Sequence, residues 1–124
     1  MKKKILVIDD EQKVRELIAD LLGHQGYQLC FAEDGPQGLE AAKRELPDLI
    51  LLDVMMPTMD GFQVQKKLSE DGNTAKIPVV FVTARAALED TMRAMSQGAA
   101  GYIEKPFDVK RLVRKVESLL EPKK

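Results

Sequence analysis

Short apolar runs alternate along the chain with longer segments whose apolar residues recur at helical spacing. The apolar runs lie at 5–8, 29–32, 49–52, 79–82 and 102–103. Four of these runs are continuous enough to predict strands buried on both faces, as the strands of a parallel sheet are. The segments between the runs carry these apolar stripes: Val14, Leu17, Ile18, Leu21 and Leu22; Leu39, Ala42 and Leu46; a weaker segment at 62–68; Leu88, Met92 and Met95; and Leu112, Val113, Val116 and Leu120. The pattern predicts five successive strand–helix units.

Residues that favour helix ends stand between these segments and support the same division. Asp34 and Asp60 are suited to cap the second and third helices, and Pro47 ends the second. Gly26 and Gly98 follow the first and fourth helices. With right-handed crossovers, the five units predict a doubly wound α/β fold, a parallel five-stranded sheet with helices on both faces. In the flavodoxin-like strand order 2-1-3-4-5, ligands bind beside the carboxyl ends of strands 1 and 3.

Composition excludes several classes of protein. The chain has 124 residues, which predicts one domain spanning 1–124 with its own hydrophobic core. With 19 basic and 20 acidic residues, the net charge of −1 gives no general reason to bind nucleic acid or a membrane surface. Cys30 is the one cysteine, so no intramolecular disulfide can form. No apolar stretch has the length of a signal peptide core or a membrane span, so we expect a cytoplasmic protein.

Polar residues that could take part in catalysis or metal binding follow four of the predicted strands. Asp9 and Asp10 follow the first strand, and Asp53 follows the third. Thr83 follows the fourth strand and Lys105 follows the fifth. Because the carboxyl ends of parallel strands meet at one edge of the sheet, we expect three carboxylates, a hydroxyl and an ammonium group to converge there.

Three neighbouring carboxylates need compensating positive charge. At an effective dielectric of about 20, two like charges some 5 Å apart repel by roughly 3 kcal/mol. A hard divalent cation removes this penalty, and a ligand set made only of oxygen favours Mg²⁺, with Mn²⁺ as a possible substitute. A metal beside a carboxylate and a lysine is suited to phosphoryl transfer, in which the carboxylate attacks in line.

Five segments together resemble a known family. They are 7–11 (VIDDE), 51–61 (LLDVMMPTMDG), 82–85 (VTAR), 98–99 (GA) and 102–107 (YIEKPF). In this order and spacing they resemble the receiver domain of two-component response regulators, of the CheY-like superfamily, over essentially the whole chain. The resemblance implies a phosphorylation-activated signalling switch that catalyses only its own phosphorylation and slow autodephosphorylation.

The resemblance also implies roles for the residues at the sheet edge. Asp53 would be the phosphoacceptor, taking a phosphoryl group from the phosphohistidine of a sensor histidine kinase or phosphotransfer protein, or from a small phosphodonor. Asp10, Asp53 and the backbone carbonyl of Met55 would ligate Mg²⁺, and Asp9 would act through a metal-bound water. Lys105 would pair with the phosphoryl oxygens.

Four further features follow from the same resemblance. Thr83 would turn toward the phosphoryl group, and Tyr102 would move inward with it as the second switch residue. The bond before Pro106 would be cis. Met55 and Arg85, two residues beyond Asp53 and Thr83, would modulate dephosphorylation by controlling how water reaches the acyl phosphate.

Three other functions compete with this interpretation. A phosphatase of the haloacid-dehalogenase type needs a second aspartate two residues after the nucleophile, where this chain has Met55. A flavin-binding electron carrier needs a phosphate cradle after the first strand, where the acidic residues at 9–11 would repel a phosphate. An unphosphorylated docking receiver is the third alternative, although every group of the active site is present.

The output surface is expected on the fourth helix, fifth strand and fifth helix, without direct nucleic-acid binding. Receivers that dimerise through this face resemble one another in an acidic pair before the switch aromatic and an acid early in the fifth helix. Here these positions hold Ala100, Gly101 and Arg111. The fifth helix adds the basic residues Lys110, Arg114 and Lys115. Because close like charges disfavour association, we expect a monomer that presents this face to an unidentified output partner.

Overall fold

The computed structural model describes residues 2–85 and 87–121. Its elements are β1 (Lys4–Ile8), α1 (Gln12–His24), β2 (Gln28–Ala32), α2 (Gly35–Glu45), β3 (Leu49–Leu52), α3 (Gly61–Glu70), β4 (Val79–Thr83), α4 (Leu88–Ser96), β5 (Gly101–Glu104) and α5 (Val109–Leu120). All strand pairs are parallel, and the sheet order is β2-β1-β3-β4-β5. The predicted fold class and strand order are therefore confirmed.

Helices cover both faces of the sheet, so two apolar layers form. On one face, buried residues of the sheet pack with Ala42 of α2, Phe62 of α3 and Ala94 of α4. On the other face, they pack with Leu22 of α1 and Val116 of α5. Helices α4 and α5 therefore lie on opposite faces, with the edge strand β5 between them. None of the helices within residues 2–85 and 87–121 has the length and hydropathy that a bilayer-spanning helix requires.

The prediction that four strands are buried on both faces is correct for three of them. Almost every residue of β1, β3 and β4 is buried. Strand β2 lies at the edge of the sheet, and its Gln28 and Phe31 are exposed. The prediction was wrong for β2 because an apolar run does not reveal that a strand has a neighbour on one side only.

The predicted helix boundaries agree with the structure. Asp34 and Asp60 accept hydrogen bonds from the backbone N–H groups of Gln37 and Gln63 at the starts of α2 and α3. Gly26 and Gly98 follow α1 and α4 with φ values of 91° and 96°, a conformation that glycine adopts readily. These local signals mark where α2 and α3 begin and where α1 and α4 end.

The apolar stripe predicted for the fourth helix does not face the core. Leu88, Met92 and Met95 are 75%, 62% and 47% exposed. Helix α4 instead packs on the sheet through the small Ala94 and places Asp90 on its buried side. The periodicity located the helix correctly but assigned its inward face wrongly.

Two other positions of the predicted stripes are exposed for local reasons. Leu17 lies on the outer side of α1, whose buried residues are Ile18 and Leu22. Leu46 follows the last residue of α2 and adopts a left-handed conformation with φ of 44°, so its side chain leaves the helix face. Pro47 comes next, consistent with its predicted role in ending this helix.

Candidate functional site

Strands β1 and β3 bring two aspartates together at the carboxyl edge of the sheet. Ile8 and Leu52, the last residues of these strands, are register partners. The next residue after each is Asp9 and Asp53, and the Asp53 amide donates to the carbonyl oxygen of Ile8 at 3.0 Å. Asp9 and Asp53 are only 2% and 4% exposed. The convergence expected from parallel pairing is therefore present.

Four carboxylates form one cluster at this edge. Asp9, Asp10, Glu11 and Asp53 each offer an oxygen, and these oxygens all lie within 4.8 Å of one another. Asp10 and Glu11 are exposed, so the cluster is open to solvent on that side. An all-oxygen donor set of this charge fits a hard divalent cation such as Mg²⁺. Glu11 had no predicted role, although its place directly after the aspartate pair was a usable signal.

Lys105 places its ammonium group among these carboxylates. Its Nζ lies 2.7 Å from Oδ2 of Asp9, 3.0 Å from Oδ2 of Asp53 and 3.5 Å from Oε1 of Glu11. The Lys105 amide donates to the carbonyl oxygen of Thr83 at 2.8 Å, which ties this residue to the end of β4. The bond between Lys105 and Pro106 is cis, as expected.

Burial and hydrogen bonding shift the pKa values of Asp9 and Lys105 in opposite directions. Burial raises the pKa of Asp9, although hydrogen bonds from Lys105 and the Glu11 amide work against the increase. Burial alone would lower the pKa of Lys105, but its hydrogen bonds to Asp9 and Asp53 outweigh this and raise the pKa. Lys105 is therefore held in its charged form and offsets part of the negative charge.

The backbone after β3 fixes the orientation of the Asp53 carboxylate. The Met55 amide donates to Oδ1 of Asp53 at 3.1 Å, while Oδ2 faces Lys105. The Gly61 amide donates to the carbonyl oxygen of Val54 at 2.9 Å. A Cβ atom on Gly61 would overlap the carbonyl oxygen of Asp53, so this close approach requires glycine. The Met55 side chain is 57% exposed.

The two predicted switch residues are joined through one residue. The backbone N–H of Arg85 donates to the Thr83 hydroxyl oxygen at 3.1 Å. The Tyr102 hydroxyl donates to the carbonyl oxygen of Arg85. The Arg85 guanidinium is turned toward α4, where its Nε donates to Oδ2 of Asp90 at 3.0 Å. Asp90 is a component of this network that the sequence analysis did not identify, because no periodicity marks a single side-chain pair.

The basic residues of the fifth helix border a groove beside β5. The groove is lined by β5 residues, by the basic side chains of Lys110, Arg111, Arg114 and Lys115, and by Asp108 and Ser118. Gly101 is buried there, and a Cβ atom on it would lie 2.5 Å from Cε of Lys115. The basic face predicted from the sequence is therefore a surface next to the exposed edge of the sheet.

Comparison with known proteins identifies the class to which this fold and site belong. Residues 5–117 match the family described as the response regulator receiver domain. The chain belongs to this family of two-component signalling proteins, in which phosphorylation and Mg²⁺ binding at an acidic pocket are typical. The predicted family is confirmed.

Among its relatives, response regulator PleD of Caulobacter vibrioides is 47% identical over 120 residues, which are 96% of this chain and 26% of PleD. The phosphate regulon transcriptional regulatory protein PhoB of Escherichia coli is 40% identical over 120 residues, covering 97% of this chain and 52% of PhoB. The solved structure of chemotaxis protein CheY4 of Vibrio cholerae superposes with a TM-score of 0.90 at 28% identity, covering 97% of this chain and 100% of CheY4. The chain thus spans about a quarter of PleD and half of PhoB.

Proposed function

We propose that Asp53 is the phosphoacceptor of this receiver and that its phosphorylation switches the protein between two signalling states. The observation that carries the proposal is the contact of the buried Asp53 carboxylate with Lys105 inside the acidic cluster. A carboxylate oxygen of Asp53 would attack the phosphorus of a phosphohistidine on a kinase or phosphotransfer protein, or of a small acyl phosphate. The P–O bond forms as the P–N or P–O bond of the donor breaks, and the imidazole or carboxylate leaves with the electron pair.

The residues around Asp53 fit this reaction. Asp10, Asp53 and the Met55 carbonyl are the proposed direct ligands of Mg²⁺, and Asp9 would hold a metal-bound water. When bound, Mg²⁺ supplies positive charge that offsets the phosphoryl oxygens. Lys105, whose Nζ lies 3.0 Å from Oδ2 of Asp53, would pair with the oxygens of the incoming phosphoryl group.

An intact-mass measurement tests the proposal. With Mg²⁺ and acetyl phosphate, the wild-type protein should gain one phosphoryl group, and the Asp53→Asn variant should gain none. A chelator should also abolish the gain. The matched control is Asp20→Asn, which removes an exposed carboxylate of α1 outside the cluster and should leave phosphorylation unchanged. Phosphoryl transfer to the Asp53→Asn protein would refute the assignment.

We further propose that the phosphorylated form acts through the face made by α4, β5 and α5. The exposed stripe of Leu88, Met92 and Met95 on α4 supports this, because such a row buries apolar area only against a partner. The basic side chains of α5, which include Arg111, favour a partner that carries acidic residues beside an apolar strip.

A further inference from the structure

Arg15 reaches from the start of α1 back to the loop that carries the aspartate pair. Its Nη1 donates to the carbonyl oxygen of Asp9 at 2.5 Å. Its Nη2 lies 3.9 Å from Oε2 of Glu33, the residue that follows β2. The Arg15 side chain is 17% exposed, against 61% for Glu33. The two branches of one largely buried guanidinium therefore contact the loops that follow β1 and β2.

The hydrogen bond from Arg15 falls on the peptide unit that joins Asp9 to Asp10. A carbonyl oxygen and the N–H group of the next residue share one rigid plane, so holding the Asp9 carbonyl also fixes how the chain enters Asp10. Within the part of the chain that the structure describes, this peptide unit makes no other hydrogen bond. The buried carboxylates of the cluster are held by Lys105, whereas the exposed Asp10 depends on its backbone for its orientation.

The positive charge of Arg15 and its hydrogen bond have opposite effects on a cation bound at the cluster. By its charge, a guanidinium next to Asp9 repels Mg²⁺ and lowers the affinity for the ion. By its hydrogen bond, the same group fixes the direction of Asp10 and raises the affinity, because Mg²⁺ requires nearly ideal octahedral geometry of its ligands. The two effects can therefore be separated by substitution.

We propose that Arg15 is a positioning residue for the Mg²⁺ site, which orients Asp10 by holding the peptide unit between Asp9 and Asp10. The inference rests on the proposed function, in which Asp10 and Asp53 are direct ligands of the ion. With the peptide unit held in advance, the loop after β1 loses little conformational freedom when the ion binds. Hydrogen bonds to the residues that carry metal ligands commonly serve this purpose in metal sites.

Calorimetric titration with Mg²⁺, without any phosphodonor, tests the inference. We expect Arg15→Met to bind Mg²⁺ about tenfold more weakly than wild type, the lower end of what the loss of such an outer hydrogen bond costs a metal site. Arg15→Lys keeps the charge but lacks the branched planar donor group, so it should also bind more weakly, and it serves if Arg15→Met does not fold. An effect of charge alone predicts the reverse for Arg15→Met, which is tighter binding.

Two control variants and one kinetic measurement separate positioning from a general structural role. Arg44→Met removes an exposed arginine of α2 and should leave the Mg²⁺ dissociation constant unchanged. Glu33→Gln removes the charge that faces Nη2 but keeps the bond from Arg15 to Asp9, and should change the constant little. With acetyl phosphate, Arg15→Lys should need more Mg²⁺ for its half-maximal phosphorylation rate and reach the wild-type rate at saturating Mg²⁺. A merely structural role lowers the melting temperature without either change.

The possible outcomes distinguish the inference from the function on which it rests. Wild-type protein that binds no Mg²⁺ would overturn both. Wild-type protein that binds Mg²⁺ but takes up neither a phosphoryl group nor beryllofluoride, which stands in for that group, would overturn the proposed function, and the Mg²⁺ affinities of the variants would still decide the role of Arg15. Unchanged or tighter Mg²⁺ binding by folded Arg15→Met would overturn the inference alone. Unchanged binding by Arg15→Lys would do the same, because a positive charge without the guanidinium would then suffice.

Discussion

The ammonium nitrogen of Lys105 lies 3.0 Å from Oδ2 of Asp53, although the two residues are 52 positions apart in the chain. Strand order explains the contact, because β3 and β5 flank β4 and end at the same edge. The same nitrogen contacts Asp9, so one lysine offsets two buried carboxylates. This arrangement gives Lys105 a structural role in the unphosphorylated protein.

Replacing Lys105 by methionine should therefore destabilise the protein most when no metal is present. Removing one partner of a buried ion pair typically costs about 3 kcal/mol of unfolding free energy. We expect a loss of this order for Lys105→Met in the presence of a chelator, measured by urea unfolding, and partial recovery with Mg²⁺. Lys43→Met removes an exposed lysine whose nearest carboxylate, on Asp71, is 3.8 Å away, and should change stability by less than about 0.5 kcal/mol.

The ion pairs of Lys105 also predict that the stability of the protein depends on pH. The folded state raises the pKa of Lys105 above its ordinary value of 10.5. The folded state therefore holds this proton more tightly than the unfolded chain, so the contribution of Lys105 to stability is full below pH 10.5 and is lost as pH rises through the folded pKa. The stability difference between wild type and Lys105→Met should shrink in that alkaline range. A difference that grows with pH would contradict the expected sign.

Gly61 should be intolerant of a side chain. A Cβ atom there would overlap the Asp53 carbonyl oxygen and lie 2.9 Å from the Phe81 ring. We expect Gly61→Ala to lose about 1–3 kcal/mol of unfolding free energy, as overpacked sites do, and to take up phosphoryl groups more slowly because the Asp53 backbone must shift. Gly72→Ala is the matched control, since a Cβ at Gly72 meets nothing within 4 Å. Equal stability of the two variants would contradict the packing explanation.

The sheet and most of the acidic site were predictable because backbone geometry determines them. Parallel strands must end at one edge, so Asp9, Asp53 and Lys105 had to converge once their strands were located. Asp90 was not predictable as a partner of Arg85, because the contact depends on which way the Arg85 side chain turns. The contact between them is a single pair and leaves no periodic signal in the sequence.

The inward face of α4 shows a second limit of sequence analysis. Leu88, Met92 and Met95 recur at helical spacing, which normally indicates a buried face. The helix packs instead through Ala94, whose small side chain lets α4 lie close to the sheet. Periodicity reports that a helix has an apolar side, and in a signalling domain that side can be reserved for a partner.

The Met55 side chain should prolong the lifetime of the phosphorylated state. It follows Asp53 by two residues, its amide binds the Asp53 carboxylate, and it offers no polar group that could orient an attacking water. We expect Met55→Asn to lose its phosphoryl group faster than wild type, as followed by intact mass after removal of the donor. Met56→Asn, one position further from Asp53, is the control and should decay at the parental rate. Equal decay of the wild-type and Met55→Asn proteins would contradict the prediction.

Activation should leave the protein largely monomeric. A symmetric dimer through α4, β5 and α5 would bring Arg111 and Arg114 of one copy toward the same basic face of the other. The two positions where dimerising receivers carry an acidic pair hold Ala100 and Gly101, which are uncharged. Because like charges oppose the approach, sedimentation at micromolar concentration should give a monomer both with and without beryllofluoride.

Charge reversal provides the decisive comparison for this expectation. Arg111→Glu would place a negative charge on this basic face and should promote self-association of the activated protein. Lys66→Glu reverses an exposed charge on α3, outside that face, and should have no effect. An activation-dependent dimer in the wild-type protein that Arg111→Glu disrupts and Lys66→Glu leaves intact would contradict the prediction. It would mean that Arg111 pairs with an acidic group across the two-fold axis, and that the α5 surface serves a second copy of this chain.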